Sequence, residues 1–194
     1  MTRKSPPDPA DELKYLTLLR ADLVDSTGLV AGLGPEQVMA RLEPSLATMR
    51  AAVRGFGGIV AKELGDGLLA AFGAPQADDN HATLACHAAM DLVRRIDGLG
   101  DANIRVRVGL HSGMVVAQMT ATEFSSIYDF RGPALILLER LQAAAEPGQI
   151  YLSDACRKLA EGHVTVETLT PRLLKGFPEP VPLHRVAGAG DPSR

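Results

Sequence analysis

The chain is expected to fold as an α+β protein: one mostly antiparallel sheet with helices on one face. Three features predict this. Ile59-Val60-Ala61-Lys62-Glu63-Leu64 and Leu68-Leu69-Ala70-Ala71-Phe72 are apolar extended runs joined by a turn containing Gly65 and Gly67, which reads as a β-hairpin because glycine reaches φ > 0 at little steric cost. Ile104 to Leu110 alternates apolar and polar residues like a half-buried strand, and Leu84, Ala88, Leu92 and Ile96 repeat at the spacing of an amphipathic helix.

The elements follow in order. Residues 1–12, with three prolines and mixed charge, and residues 188–194 are expected to be flexible ends of one domain spanning 13–187. Tyr15 to Ala21 is a strand and Ser26 to Leu33 a short helical stretch. Pro35 opens a helix whose apolar face carries Val38, Leu42, Met49 and Val53, and which Pro44 should kink or divide. The hairpin comes next, then a helix capped by Asp78 or Asp79. His111-Ser112-Gly113 is read as a turn from the strand at 104–110 into a partner strand, Met114 to Gln118, with Thr120 to Ser126 as an arm or loop. Pro133 to about Ala145 is a helix, with Leu135, Leu138 and Leu141 on its apolar face, and Pro147-Gly148 stops it. Strands are expected at Ile150 to Leu152, Val164 to Leu169, and Leu173 to Lys175 with Val181 to Val186, and a short helix at Asp154 to Ala160.

Composition narrows the function. A net charge of −3, no Trp, three Tyr and five Phe lack the basic footprint and stacking rings of a nucleic-acid binder. No apolar stretch approaches the ~18 residues that span a bilayer, so a cytoplasmic protein is expected. Cys86 and Cys156 are read as buried small residues, and His81 and His87 lack a third ligand at metal-binding spacing. Taken alone, Asp66 is a turn former and Lys62 a solvated strand residue. A second acid, Asp22, ends another apolar strand, and two strand-end carboxylates on one sheet form a plausible Mg²⁺ site, since that ion is held by one or two carboxylates with phosphates and water completing its shell.

Five segments in order resemble the catalytic domain of class III adenylate and guanylate cyclases: Ala21-Asp22-Leu23-Val24, Lys62-Glu63-Leu64-Gly65-Asp66, Val106 to Gly113, Gly132 to Arg140, and Leu174-Lys175-Gly176-Phe177-Pro178. The resemblance implies a ferredoxin-like sandwich, a head-to-tail homodimer with sites at its interface, and attack of a ribose 3′-hydroxyl on the α-phosphorus of its own nucleoside triphosphate. It places two Mg²⁺ or Mn²⁺ ions on Asp22, Asp66 and the Leu23 backbone carbonyl. Arg140 would stabilise the transition state, and Arg107, Lys175, Ser26 and Thr27 would hold phosphates. Arg107 is otherwise a strand charge facing water. Lys62 and Asp129 match the pair that selects adenine, so ATP is the expected substrate and cyclic AMP and pyrophosphate the products.

Three positions depart from the family pattern. Ile136 stands where an Asn usually orients the ribose. Asp25 replaces a small residue or Gly near the phosphates, and Arg20 shares a strand face with Asp22, with which it could pair. A second reading therefore stands beside the enzyme: a degenerate cyclase domain that binds nucleotide or a partner without turnover.

Overall fold

Leu16 to Leu19 are all fully buried, and a strand apolar on both sides must be covered on both faces. The computed structural model, which describes residues 11–121 and 126–190, shows how. Strand β1 (Asp11–Leu23) lies inside an eight-stranded sheet with β2 (Ile59–Glu63), β3 (Gly67–Phe72), β4 (Val106–Ala121), β5 (Ser126–Arg131), β6 (Ile150–Leu152), β7 (Val164–Thr168) and β8 (His184–Ala189). The order is β2-β3-β1-β4-β6-β8-β7, with β5 pairing on β4. All these pairings are antiparallel except β4 with β6.

The α+β class and the mostly antiparallel sheet are as expected, but the helices occupy both faces. On one face, helices α2 (Pro35–Gly55), α3 (His81–Asp97) and α5 (Asp154–Leu159) bury Leu46, Met49, Leu92 and Cys156 against Leu19, Ala21, Val108 and Leu110. On the other, α4 (Pro133–Ala144) buries Ala134 and Leu138 against Leu16, Leu18 and Val115. The cause lies in β1, where Leu16 and Leu18 alternate with Thr17 and Leu19 and neither set is polar enough to face water.

Other departures have local causes. Asp11 and Glu12, assigned to the flexible N-terminal end, pair with Gln118 and Ala117, and Gly188 and Ala189 belong to β8; residues 1–10, 122–125 and 191–194 lie outside the described ones. The first short helix, α1, covers only Ser26–Leu29. Pro44 does not divide α2, because Leu42, Ser45, Leu46 and Met49 are buried on either side of it, and tertiary burial outweighs a weak local signal. The cap of α3 is Asn80, with the Asp78 side chain accepting its N–H at 2.8 Å. Leu173 to Lys175 is not a strand. Apart from a bridge between Arg172 and Val181, this stretch is a loop, since Pro178, Pro180 and Pro182 lack ladder donors and Gly176 has φ 90°. Leu174 and Leu183 nonetheless pack on Leu141 of α4.

The largest correction concerns His111-Ser112-Gly113, where β4 runs straight through without turning. The glycines there make room. A Cβ on Gly109 would meet the Gln142 backbone nitrogen of α4 at 2.7 Å, and one on Gly113 would meet His111 Nε2 at 2.8 Å. Both glycines share the face under α4, so they let the helix lie against the sheet and the His111 ring fold over its own strand. His111 Nδ1 is bonded to Ser153 Oγ at 2.8 Å, and burial pushes its pKa down to about 4.

Two stability outcomes follow. Gly109→Ala must displace α4, and overpacking of this kind costs about 1–3 kcal/mol; urea unfolding should show a lower midpoint with an unchanged m-value. His111 takes its proton near pH 6.5 when unfolded but only near 4 when folded, so its contribution is complete above pH 6.5 and is lost as pH falls toward 4. His111→Gln should flatten that part of the stability-pH curve, read as the difference from the unmodified protein; parallel curves would contradict the assignment.

Candidate active site

The site forms where the β2-β3 hairpin turn meets the end of β1. Gly65, at φ 81°, closes the turn, and the Leu64 N–H donates to the Gly67 carbonyl at 2.9 Å. The turn is tied to β1 by the Leu23 N–H, which donates to the Asp66 carbonyl at 3.2 Å. Gly67 stands opposite Asp22 in the β1-β3 register, and a Cβ there would lie 2.1 Å from the Ala21 carbonyl oxygen and 2.8 Å from Asp22 Oδ1. No other residue permits this approach. The hairpin therefore delivers Asp66 to the carboxyl of Asp22.

Asp22 is raised to about 6, first by burial and then by the hydrogen bond to Asp66 and the negative charge of that residue; Arg20 and Arg107 oppose the rise. Two carboxyls this close cannot both ionise freely, and a cation between them relieves the conflict. Asp66 is further held by the Ser26 hydroxyl, which donates to Oδ2 from the first residue of α1.

Both arginines lie on the same sheet face as Asp22. Arg107 is directly across from Asp22 on β4, while Arg20, two residues back on β1, is across from Gly109. Arg20 makes no ion pair with Asp22 among the described residues, so the pairing expected from sequence is not formed. Instead, Nε of Arg20 and Nε of Arg107 are both buried without a partner. The Leu23 side chain is buried, and its backbone continues the β1 edge opposite Val106. Asp25 adopts a left-handed conformation, φ 52°, at the start of α1, with Thr27 exposed beyond it. That backbone conformation favours glycine, which gives the Asp25 departure a steric dimension as well as a charge.

Lys62 stands at a bulge in β2, across from Leu69, whose side chain packs on the α4-side cluster. Asp129 makes no hydrogen bond or ion pair with Lys62 among the described residues. Its neighbours Tyr128 and Phe130 pack on that cluster, so Asp129 projects the other way and accepts from Arg131 Nε at 3.1 Å. On α4, Ile136 and Arg140 are one turn apart, and Ile136 is 54% exposed. Arg140 donates to the Lys175 carbonyl at 3.0 Å, which brings the Leu174-Lys175-Gly176 loop to the helix. The structure thus gathers Asp22, Asp66, Ser26, Arg107 and Arg20 at the sheet end and joins Arg140 to Lys175. Sequence reasoning missed the unpartnered nitrogens, although alternation along β1 and β4 already placed those side chains on one face.

The donor set suits a divalent cation. The described residues contain no group of three or more His, Cys, Asp or Glu side chains that could hold a metal, but Mg²⁺ needs only one or two carboxylates when a polyphosphate supplies the remaining oxygens. Among the described residues, no helix is long and apolar enough to cross a membrane.

The sequence profile of the adenylate and guanylate cyclase catalytic domain matches residues 9–185. Adenylate cyclase 1 of Rhizobium meliloti is 27% identical over 134 residues, which cover 66% of this chain and 20% of that protein. The adenylyl cyclase CyaB from P. aeruginosa superposes with a TM-score of 0.83 at 22% identity, over 92% of this chain and 96% of its own. The guanylate cyclase domain of RhGC from Catenaria anguillulae, in complex with GTP, does so with a TM-score of 0.81 at 22% identity, over 92% and 99%. At that identity the two structures speak to the fold. This chain spans only 10–20% of the length of the first curated relatives it matches.

A cation between the carboxylates should stabilise the protein measurably. Mn²⁺ at a hundred times its Kd would contribute about 2.7 kcal/mol, seen as a rise in Tm. Asp22→Asn should raise the metal-free Tm by removing like-charge repulsion, and should abolish the Mn²⁺ response. A variant whose Tm still climbs with Mn²⁺ would place the cation elsewhere.

Proposed function

Because the chain belongs to the adenylate and guanylate cyclase catalytic-domain family, we propose that it converts ATP to 3′,5′-cyclic AMP and pyrophosphate as a head-to-tail homodimer. The observation that carries the reading is the Asp22-Asp66 carboxyl pair, held by Gly67 and flanked by two arginines with unpartnered nitrogens. This is an arrangement for a divalent cation and a polyphosphate together. Mg²⁺ or Mn²⁺ bound there, two per site, would lower the pKa of the ribose 3′-hydroxyl and neutralise the triphosphate.

The protein's own groups orient and select. Asp22, Asp66 and the Leu23 carbonyl set the metal position, and Ser26 fixes the Asp66 carboxyl. Arg107 and Lys175 receive outer phosphates, with Ser26 and Thr27 presenting the start of α1. Arg140 meets charge that builds on the α-phosphate. It projects from the same exposed side of α4 as Ile136, the side a second copy of the chain would cover, and so serves the partner's metal pair. Lys62 donates to an adenine ring nitrogen and Asp129 accepts from the exocyclic amine. Asp129 must first leave Arg131, and an ion pair this exposed contributes only about 0–1 kcal/mol.

The substrate assignment is tested by cyclisation of ATP and of GTP with Mn²⁺. ATP should be preferred, and Lys62→Glu should erode the preference, because a buried polar group left unpaired discriminates strongly. Equal kcat/KM for the two nucleotides would leave a cyclase without the proposed adenine selection.

Two residues favour the second reading, a domain that binds nucleotide or a partner without turnover. Asp25 puts negative charge in a left-handed backbone position beside the phosphate elements, and Ile136 offers no hydrogen bond to a ribose. A lost transition-state hydrogen bond costs on the order of 10²-fold in kcat. Ile136→Asn should therefore raise kcat severalfold or more with KM little changed; a variant that dimerises and binds Mn²⁺-ATP yet forms no cyclic AMP, even combined with Asp25→Gly, would favour the binding module.

A further inference from the structure

Arg20 is a charged residue at the site for which neither the metal pair nor the family pattern gives a role. Its Nε is buried with no hydrogen-bond partner, and leaving a buried donor of a charged group unpaired is costly. Among the described residues no acid accepts from that Nε, and the Asp66 carboxylate accepts from Ser26. Arg107 shows the same deficit two register positions away on the neighbouring strand, where it stands across from Asp22. Two guanidinium groups on one sheet face, each with an unpartnered Nε, suit an anion of extended shape. The Gln142 side chain, 3% exposed, adds a third unpartnered nitrogen, Nε2, on the helix residue that rests on Gly109, directly across from Arg20.

Charge balance favours an anion that arrives with the cations. Divalent ions placed alone on Asp22 and Asp66 meet two fixed positive charges on the same face, whereas a polyphosphate supplies the missing negative charge and matches the planar guanidinium fork, which pairs with phosphate through parallel hydrogen bonds. We infer that Arg20 is a second phosphate-binding arginine, forming with Arg107 a cradle for the pyrophosphoryl end of a nucleoside triphosphate and for the pyrophosphate released from it. This rests on the cyclase reading above. It gives Arg20 a binding role toward the leaving group in place of a counter-ion role toward Asp22.

The test is calorimetric titration of the homodimer with inorganic pyrophosphate in Mn²⁺, alongside cyclic AMP formation from ATP. Losing a charge-assisted hydrogen bond should weaken pyrophosphate binding by about tenfold or more in Arg20→Gln. Arg20→Lys, which keeps the charge and stem but not the fork, should lose less and serves as the reporter if the glutamine variant does not fold. Pyrophosphate affinity that is unchanged or tighter in either folded variant, while the unmodified protein binds pyrophosphate and cyclises ATP, would overturn the Arg20 assignment and leave the cyclase reading standing. An unmodified protein that neither binds pyrophosphate nor cyclises ATP would remove both.

Discussion

The approach of Gly67 to the Ala21 carbonyl is the contact on which the site depends. It presses the tip of one hairpin onto the end of the central strand, with no room even for a methyl group, and so fixes two acids where separate loops would let them drift apart. The cost is electrostatic. Burial and a neighbouring carboxylate hold Asp22 near 6, far above an ordinary aspartate, so the fold stores a repulsion that only a proton or a cation relieves. Under the proposed function, a site built in this way is preorganised for a cation.

A second close approach serves the other half. Gly109 and Gly113 strip one face of β4 so that α4 lies directly on it, and the pairing of Arg140 with the Lys175 carbonyl then anchors a proline-rich loop to the helix. The outer stripe of α4, with Ile136 and Arg140, is left facing away from its own sheet. Asp22, Arg20 and Arg107 lie at the ends of β1 and β4, while Arg140 stands on α4 one turn from the exposed Ile136. Under the proposed function, that division suits an active site shared between two copies.

Much of this was legible where sequence signals are local. The hairpin, the stripes of α2 and α3 and the acids Asp22 and Asp66 follow from periodicity and turn chemistry over a few residues. What misled were residues whose meaning is tertiary. Gly113 was read as a turn because glycine usually marks one, yet its role is to leave space for the His111 ring, and nothing nearby in sequence reveals that. Leu173 to Lys175 reads as a strand from its apolar residues, but Leu174 packs on Leu141 without joining a ladder, and of the expected strand from Val181 to Val186 only the part from His184 onward belongs to β8. The two-faced sheet was available in principle, since Leu16, Leu18 and Leu19 put apolar side chains on both faces of one strand. The direction of Asp129 was not, because it depends on the register between β5 and the far end of β4.

The departures from the family pattern can be weighed by where they sit. Ile136 is exposed on a helix face and disturbs no packing within the chain, so under the proposed function its consequence is confined to the ribose contact. Asp25 occupies a backbone conformation that glycine fills without strain, and its charge lies beside elements meant for phosphate. Arg20 works in the opposite sense, adding a positive charge to the same small region. One chain thus adds an acid and a base within a few residues of the metal pair, and their effects on a bound polyphosphate oppose one another: Asp25 repels from the helix side, Arg20 attracts from the sheet side. Under the proposed function the two formal charges cancel, so a triphosphate at the site meets no added net charge from the pair of substitutions.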